Sequence, residues 1–315
     1  VGANTTMLTL LRDNAAELDV TSPNMDLGIS RARAMLQSSV NISIQSASVT
    51  DGILQARVKL ENNSGHKTPS GYPSRRMWLN FKVTDSNNDV IFESGRINPD
   101  GSIVGADNDV DQARFEPHYD LITAADQVQI YEPVMGDSDG SVTYTLLRGA
   151  SYLKDNRLTP KGFDKLVVPN DVAVLGEAEN DDNFNQGSDE ITYQIPVAVS
   201  GELTVSVALN YQTIAHGYLQ DLYRDDHLEQ VQTFRALYDA QSLKHEQISS
   251  AQTMVFSDGG GTPVPAATLS ASSTSIIEGE SVILSWSSTD ANSCSAPWAG
   301  SIATNGSQTV TPNVT

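Results

Sequence analysis

The sequence predicts a mainly β protein: an antiparallel β-sandwich with an N-terminal helical hairpin and a C-terminal helix, followed by a second, partial β-sandwich. Three observations carry this. From Val40 onward apolar residues recur at every second position, in runs such as 53-ILQARVKLEN-62 and 202-ELTVSVALNYQ-212, the pattern of strands with one face in a core. Turn residues separate the runs, among them Asp51-Gly52 and Asn87-Asn88-Asp89, as hairpin connections require. The stretch 257-SDGGGTPVPA-266 then gives way to a Ser/Thr-rich tail, 267–315, without a Lys or Arg. Such a shift marks a linker and a separate unit.

Residues 1–38 form the N-terminal helical segment. Met7, Leu8, Leu10 and Leu11 make one apolar face and Ile29, Met35 and Leu36 another, with Ser22-Pro23 between them. Asn4 and Ser22 are the expected N-caps, and Pro23 suits a first helical position. Residues 39–256 form the main sandwich. Its strands are 40-VNISIQSASV-49, 53–62, 77-MWLNFKVTD-85, 90-VIFES-94, 142-VTYTLLR-148, 190-EITYQIPVAV-199 and 202–212. Between Tyr218 and Gln247 the spacing of Leu219, Leu222, Leu228, Val231, Phe234, Leu237 and Tyr238 returns to helical. After the linker at 257–266, residues 267–315 supply two strands around Ile277-Glu278-Gly279-Glu280, with four strands at most. A complete immunoglobulin-like sandwich needs about seven.

Composition excludes several functions. Of 315 residues, 19 are Lys or Arg and 39 are Asp or Glu, a formal charge of −20. Nucleic-acid binding needs clustered cations against phosphate, so no nucleic-acid partner is expected. No apolar run approaches a membrane span, and no membrane insertion is expected. The lone Cys294 excludes an internal disulfide, a Cys-based zinc site and a C-x-x-C-H haem attachment within this chain. The opening VGANTTMLTLL lacks the marks of a signal peptide and reads as a piece of something longer.

Three stretches carry a resemblance. They are 61-ENNSGHKTPSGYPSRRMWLNFKVTDSNNDVIFESG-95, 98-NPDGSIVGADNDVDQARFEPHYD-120 and 148-RGASYLKDNRLTPKGFD-164. Together they resemble the haem-free, β-rich C-terminal region of secreted bacterial multihaem c-type cytochromes, over about residues 1–250. The helices before them look like the segment that joins the last haem-binding stretch to that region. This implies an upstream haem-bearing domain or a neighbouring subunit as partner, with c-type haem only in that upstream part. Residues 268-TLSASSTSIIEGESVILSWSSTDANSC-294 look like a bacterial immunoglobulin-like surface module. Such modules place a second cysteine in a later strand, so the resemblance implies that Cys294 is half of a disulfide. The bland alternative is a lone thiol.

Several residues are candidates for chemistry. His66 sits in the Gly/Pro-held loop 64-SGHKTPSG-71. It is either an axial ligand to a haem in a neighbouring segment or a loop residue bonded to backbone and packed under Trp78 or Tyr72. Arg75 and Arg76 are able to hold a haem propionate or a carboxylate bidentately. Strand alternation equally points one inward, to an acid such as Asp120. Asp107, Asp109 and Asp111 at alternate positions, with Glu116 beyond, resemble positions 1, 3 and 5 of a calcium loop. They lack the glycine and distal glutamate of an EF-hand. The turns Asp137-Ser138-Asp139-Gly140 and Glu179-Asn180-Asp181-Asp182-Asn183 are weaker cases. For all three, solvated acidic loops are the plain alternative.

No nucleophile elbow, zincin motif, P-loop or dinucleotide fingerprint is present, and no enzyme activity is expected. The expected function is a non-catalytic β-domain of a secreted multihaem electron-transfer cytochrome, periplasmic or extracellular. The alternative is a calcium-stabilised extracellular module binding carbohydrate or a cell-surface partner.

Overall fold

The computed structural model describes residues 4–21, 24–259, 266–277, 279–289, 291 and 293–311. It divides into two units, Val1–Gly259 and Gly260–Thr315. The expected cap Ser22, Pro23, most of the linker and Glu278 of the second unit's turn lie outside the described residues.

In the first unit, α1 (Thr5–Asp13) and α2 (Met25–Gln37) form the helical hairpin. Asn4 stands at the N-cap of α1, but its side chain makes no capping bond. Its carbonyl takes the Leu8 N–H at 2.9 Å instead. Leu10, Ile29 and Leu36 turn inward. The guanidinium of Arg33 in α2 grips the carboxylate of Glu246 at 2.6 to 3.1 Å, fastening the hairpin to the end of a strand.

Two sheets face each other. One runs in the order β1 (Val40–Thr50), β2 (Ile53–Asn62), β9 (Ser188–Pro196), β5 (Leu121–Ile122). The other runs β11 (Glu246–Asp258), β10 (Ser200–Gln212), β3 (Arg76–Thr84), β4 (Val90–Ser94), with β6 (Ile130–Tyr131) also paired to β3. All pairings are antiparallel except that of the two-residue β5 with β9. Leu54, Ala56, Val58 and Leu60 of β2 and Ile191, Tyr193 and Ile195 of β9 share a core with Leu79, Phe81 and Val83 of β3 and Leu203, Val205 and Leu209 of β10. Phe81 lies flat on Tyr193 with ring centroids 3.7 Å apart. The mainly β, sandwich-like architecture is as expected, and its cause is the period-two alternation.

Three local expectations are corrected. The run 142–148 is not a strand: Val142 makes one isolated bridge to Gly136, and Leu146–Arg148 is a 3-10 turn. The loop is anchored through the Tyr144 hydroxyl, which donates to the Gln112 carbonyl at 2.7 Å. The short strands here are instead β7 (Pro133–Gly136) and β8 (Ser151–Asp155), paired with each other. The helical stretch after Tyr218 is two helices, α4 (His216–Leu222) and α5 (Glu229–Ala240). It ends well before Gln247, where β11 has already begun. That strand hides from pattern reading because, apart from Ile248, its most buried residues are the polar Glu246 and Ser257. A one-turn helix, α3 (Asp107–Val110), also appears.

An excursion from β4 back to β6 covers the outer face of β3. Trp78, Ile103, Ala106, Val128 and Ile130 form a second small core there. The Trp78 indole donates to the Gly95 carbonyl at 2.9 Å. Gly95 has φ +76, and a Cβ there would stand 2.2 Å from the Leu79 carbonyl oxygen. Only glycine allows β4 to leave the sheet at this point.

Among its described residues the second unit has five short strands rather than four. β12 (Ala266–Ala271), β13 (Val282–Thr289) and β16 (Asn305–Val310) make one sheet; β14 (Cys294–Ala296) and β15 (Gly300–Ile302) make a hairpin. Among its described residues the only buried apolar side chains are Val282 and Ala296. Cys294 is a free, half-buried thiol.

Candidate functional site

Two of the stretches that carry the cytochrome resemblance, 61–95 and 148–164, are distant in sequence and meet in one assembly. Asn62, fully buried at the end of β2, donates to the carbonyls of His66, Leu158 and Thr159 at 2.9 to 3.0 Å. Thr68 and Leu158 exchange backbone hydrogen bonds at 2.9 Å in both directions. The Lys67 ammonium donates to Asp155 at 2.7 Å and to the Ala173 carbonyl at 2.8 Å. Arg157 takes the same Asp155 carboxylate at 2.7 and 2.8 Å. Burial pushes the Asp155 carboxyl up, but Arg157 and Lys67 outweigh it and hold the group below its ordinary value.

The expected site residues fall as follows. His66 is half-buried, with Nδ1 2.9 Å from the Lys67 carbonyl oxygen, in a pocket of about 280 Å³ shared with Met35, Leu36 and Tyr211. Trp78 pairs with His245, ring centroids 5.8 Å apart. Arg75 anchors its own loop by donating to the Ser70 carbonyl at 2.5 Å. Arg76 is the inward-pointing arginine, and its acid is Asp109 rather than Asp120. It is 1 % exposed and bonds both carboxylate oxygens of Asp109 at 2.7 and 2.8 Å, with Nε donating to Gln212 at 2.8 Å. Burial disfavours its charge, yet Asp109 more than restores it and the guanidinium titrates above its usual value. Its fork is therefore spent inside the protein.

The calcium reading of 107–116 does not match the geometry. The carboxylates there serve different partners. Asp109 is locked to Arg76, Asp107 pairs with Arg114 at 2.5 Å, and Asp111 accepts the Ala113 N–H at 3.0 Å. Glu116 accepts the Asp107 N–H and the Tyr119 hydroxyl, both at 2.8 Å. The physical reason is α3: in a helical turn, side chains two apart face away from each other. Asp137 likewise is used in a turn, accepting the N–H groups of Asp139 and Ser141.

The third acidic turn does reach a site. Asp181 meets His118 and Asp189, and one ligand-type atom from each lies within 4.8 Å of the others. Asp189 stands on β9 in phase with Ile191, Tyr193 and Ile195, so the sheet aims it inward. Its side chain is fully buried. Tyr131 donates to its Oδ2 at 2.6 Å, and its Oδ1 is buried with no well-formed hydrogen bond among the described residues. Burial raises the Asp189 carboxyl to about 6. Asp181 is also pushed up by burial, but the bond from His118 outweighs this and holds it below the ordinary range.

The tautomer of His118 follows from its neighbours. Gln129 Oε1 accepts the Tyr119 N–H at 2.8 Å, and Asn156 Oδ1 accepts the Glu132 N–H at 3.0 Å. Both amide NH₂ groups therefore face His118 Nδ1, at 2.8 and 3.0 Å. Nδ1 accepts, so the ring proton sits on Nε2 and points at Asp181 Oδ2, 3.1 Å away, with Asp189 Oδ2 at 3.7 Å. A pocket of about 380 Å³ opens above, lined by His118, Asp120, Glu177, Asn180, Asp181, Asp182 and Asn183. Sequence reading passed over His118 and Asp189. The available signal was an Asp at an inward position of a strand.

No family model and no curated protein matches the chain. Among solved structures, a penta-heme cytochrome c552 from Thermochromatium tepidum is similar at 13 % identity and a TM-score of 0.40, over 70 % of this chain and 41 % of that one. The chain thus spans less than half the length of that neighbour. A likeness this loose carries no argument about function.

Proposed function

We propose that this chain is the haem-free, β-rich part of a secreted multihaem c-type cytochrome, a non-catalytic domain that supports and shields an upstream haem-bearing part. The observation that carries this reading is the bonding of the first and third resembling stretches around Asn62, Lys67 and Asp155, with the second joined to them through Arg76–Asp109 and Asn156–His118. Their polar residues are consumed in holding loops together, as a scaffold requires. The face offered to the upstream part is an apolar groove of about 670 Å³ between α1 and α5, lined by Met7, Leu10, Leu11, Leu18, Phe234 and Leu237. A groove of this character suits an adjoining domain better than water. His66 and Arg75, at the loop surface, are the side chains nearest in kind to haem contacts; Arg76 is not among them. The chain itself has no C-x-x-C-H motif, so covalent haem belongs to the upstream segment.

The test is a visible spectrum of the protein purified from its native source with its full gene product. A Soret band that survives denaturing extraction, with C-x-x-C-H motifs encoded upstream, is the expected result. A haem-free gene product would overturn the reading in favour of the extracellular binding module.

A further inference from the structure

The cluster of His118, Asp181 and Asp189 has the composition of a transition-metal site, but its surroundings select a different ligand. A histidine that ligates a metal through Nε2 ordinarily donates its Nδ1–H to a carbonyl or carboxylate. Here Nδ1 is faced by two amide donors whose orientations are fixed by the backbone N–H groups of Tyr119 and Glu132. Freeing the Nε2 lone pair would leave the imidazole with no proton at all, and the ring does not give up its second proton at neutral pH. His118 is therefore a donor, and soft or borderline metals that favour imidazole are disfavoured here.

Oxygen is what the site has in surplus. Asp181 lines the pocket and lies within 4.8 Å of the buried Asp189, and Asp120, Glu177 and Asp182 line the pocket with Asn180 and Asn183. Among the described residues none of these five carboxylates pairs with Lys or Arg. The nearby Lys165 is turned onto the carbonyls of Ala178 and Asp181. The second, independent sign is Asp189 Oδ1, an oxygen of a fully buried carboxylate of the cluster that has no well-formed hydrogen bond among the described residues. A buried charged oxygen is ordinarily hydrogen-bonded, paired or bound to a metal, and a cation would supply that partner here.

We propose that this pocket binds a hard divalent cation through carboxylate oxygens of Asp181 and Asp189, with His118 acting as the N–H donor that orients them and not as a ligand. Oxygen-only coordination at a partly open site is the chemistry of calcium rather than zinc. The site uses none of the carboxylates of 107–116 and does not depend on the electron-transfer reading.

Titration calorimetry on the full chain with Ca²⁺ alone, and separately with Zn²⁺, tests this. One Ca²⁺ should bind in the micromolar to millimolar range and raise the melting temperature. Asp181→Asn should weaken it by about tenfold or more, since affinity follows ligand charge count. Should Asp181→Asn fold poorly, Asp182→Asn sits at an exposed position and should still weaken Ca²⁺ several-fold. Histidine ¹⁵N NMR should show His118 protonated on Nε2 both before and after Ca²⁺ is added. Absence of Ca²⁺ binding at millimolar concentration would overturn the proposal. So would Ca²⁺ binding indifferent to both variants, or tighter Zn²⁺ binding accompanied by a proton moving from Nε2 to Nδ1.

Discussion

Two buried ionic clusters flank the same sheet system and are built on opposite principles. At Arg76 each charge is matched: guanidinium and carboxylate meet in a two-bond fork, and Gln212 takes the remaining Nε–H. At His118 carboxylates outnumber cations, and among the described residues one buried oxygen is left without a well-formed hydrogen bond. A matched pair gains structure by burial only because both partners are there; the desolvation cost is high and is offset by the pairing. An unmatched cluster is compensated only in part within the chain and is suited to taking a cation from outside. The contrast separates a scaffold element from a candidate site more sharply than residue type does, since both clusters are made of ordinary Asp, Arg and His.

The largest expected effect comes from unbalancing the matched cluster. Arg76→Ala should cost about 3–5 kcal/mol of unfolding free energy by leaving Asp109 buried and alone, measured by urea denaturation. A loss under about 1 kcal/mol would mean that the pair is open to water. Next is Asp155→Asn, which weakens two charged contacts at once and should cost about 1.5–3 kcal/mol near neutral pH. Its pH dependence has a definite sign. The folded carboxyl titrates below its ordinary value of about 3.9. Its stabilisation is therefore complete above that pH and is lost as pH falls through the lower, folded value. Stability of the native protein should thus drop more steeply on acidification below about pH 4 than that of Asp155→Asn, read from denaturation midpoints across the acid range.

A surface pair calibrates the comparison. Arg57 and Glu190 meet at 2.6 Å with half of the arginine side chain exposed, so Arg57→Ala should cost less than about 1 kcal/mol. The smallest effect distinguishes the two clusters by sign. Asp189→Asn removes one carboxylate from the unmatched cluster while keeping an oxygen for the Tyr131 hydroxyl. With a chelator present, its urea midpoint should equal or exceed that of the native protein. A clear destabilisation would show that Asp189 is compensated within the chain and would remove the contrast.

Much of the frame was legible because its cause is local. The alternation through Ile53–Asn62 and Ser200–Gln212 names the inward residues without knowledge of the partner strand, since successive side chains must leave a strand on opposite faces. The same rule, applied to β9, already places Asp189 in line with Ile191 and Tyr193. Legibility failed where burial comes from small or polar residues, as in β11, and where a short helix replaced an expected loop, as at Asp107–Val110. The acids of 107–116 read as a cluster by spacing, but the turn at Asp107–Val110 separates Asp107 from Asp109 and the four acids serve different partners.

The sequence by itself determined a mainly β chain of strongly acidic character, a helical hairpin before it and a compositionally distinct unit after it. These follow from periodicity and composition, which need no knowledge of distant residues. Only the tertiary structure decided that Arg76 pairs with Asp109 and that His118 lies between Asp181 and Asp189. The energy of a buried charge depends on what stands within a few ångströms of it. Residues 118, 181 and 189 become neighbours only once the sheets and their loops have closed.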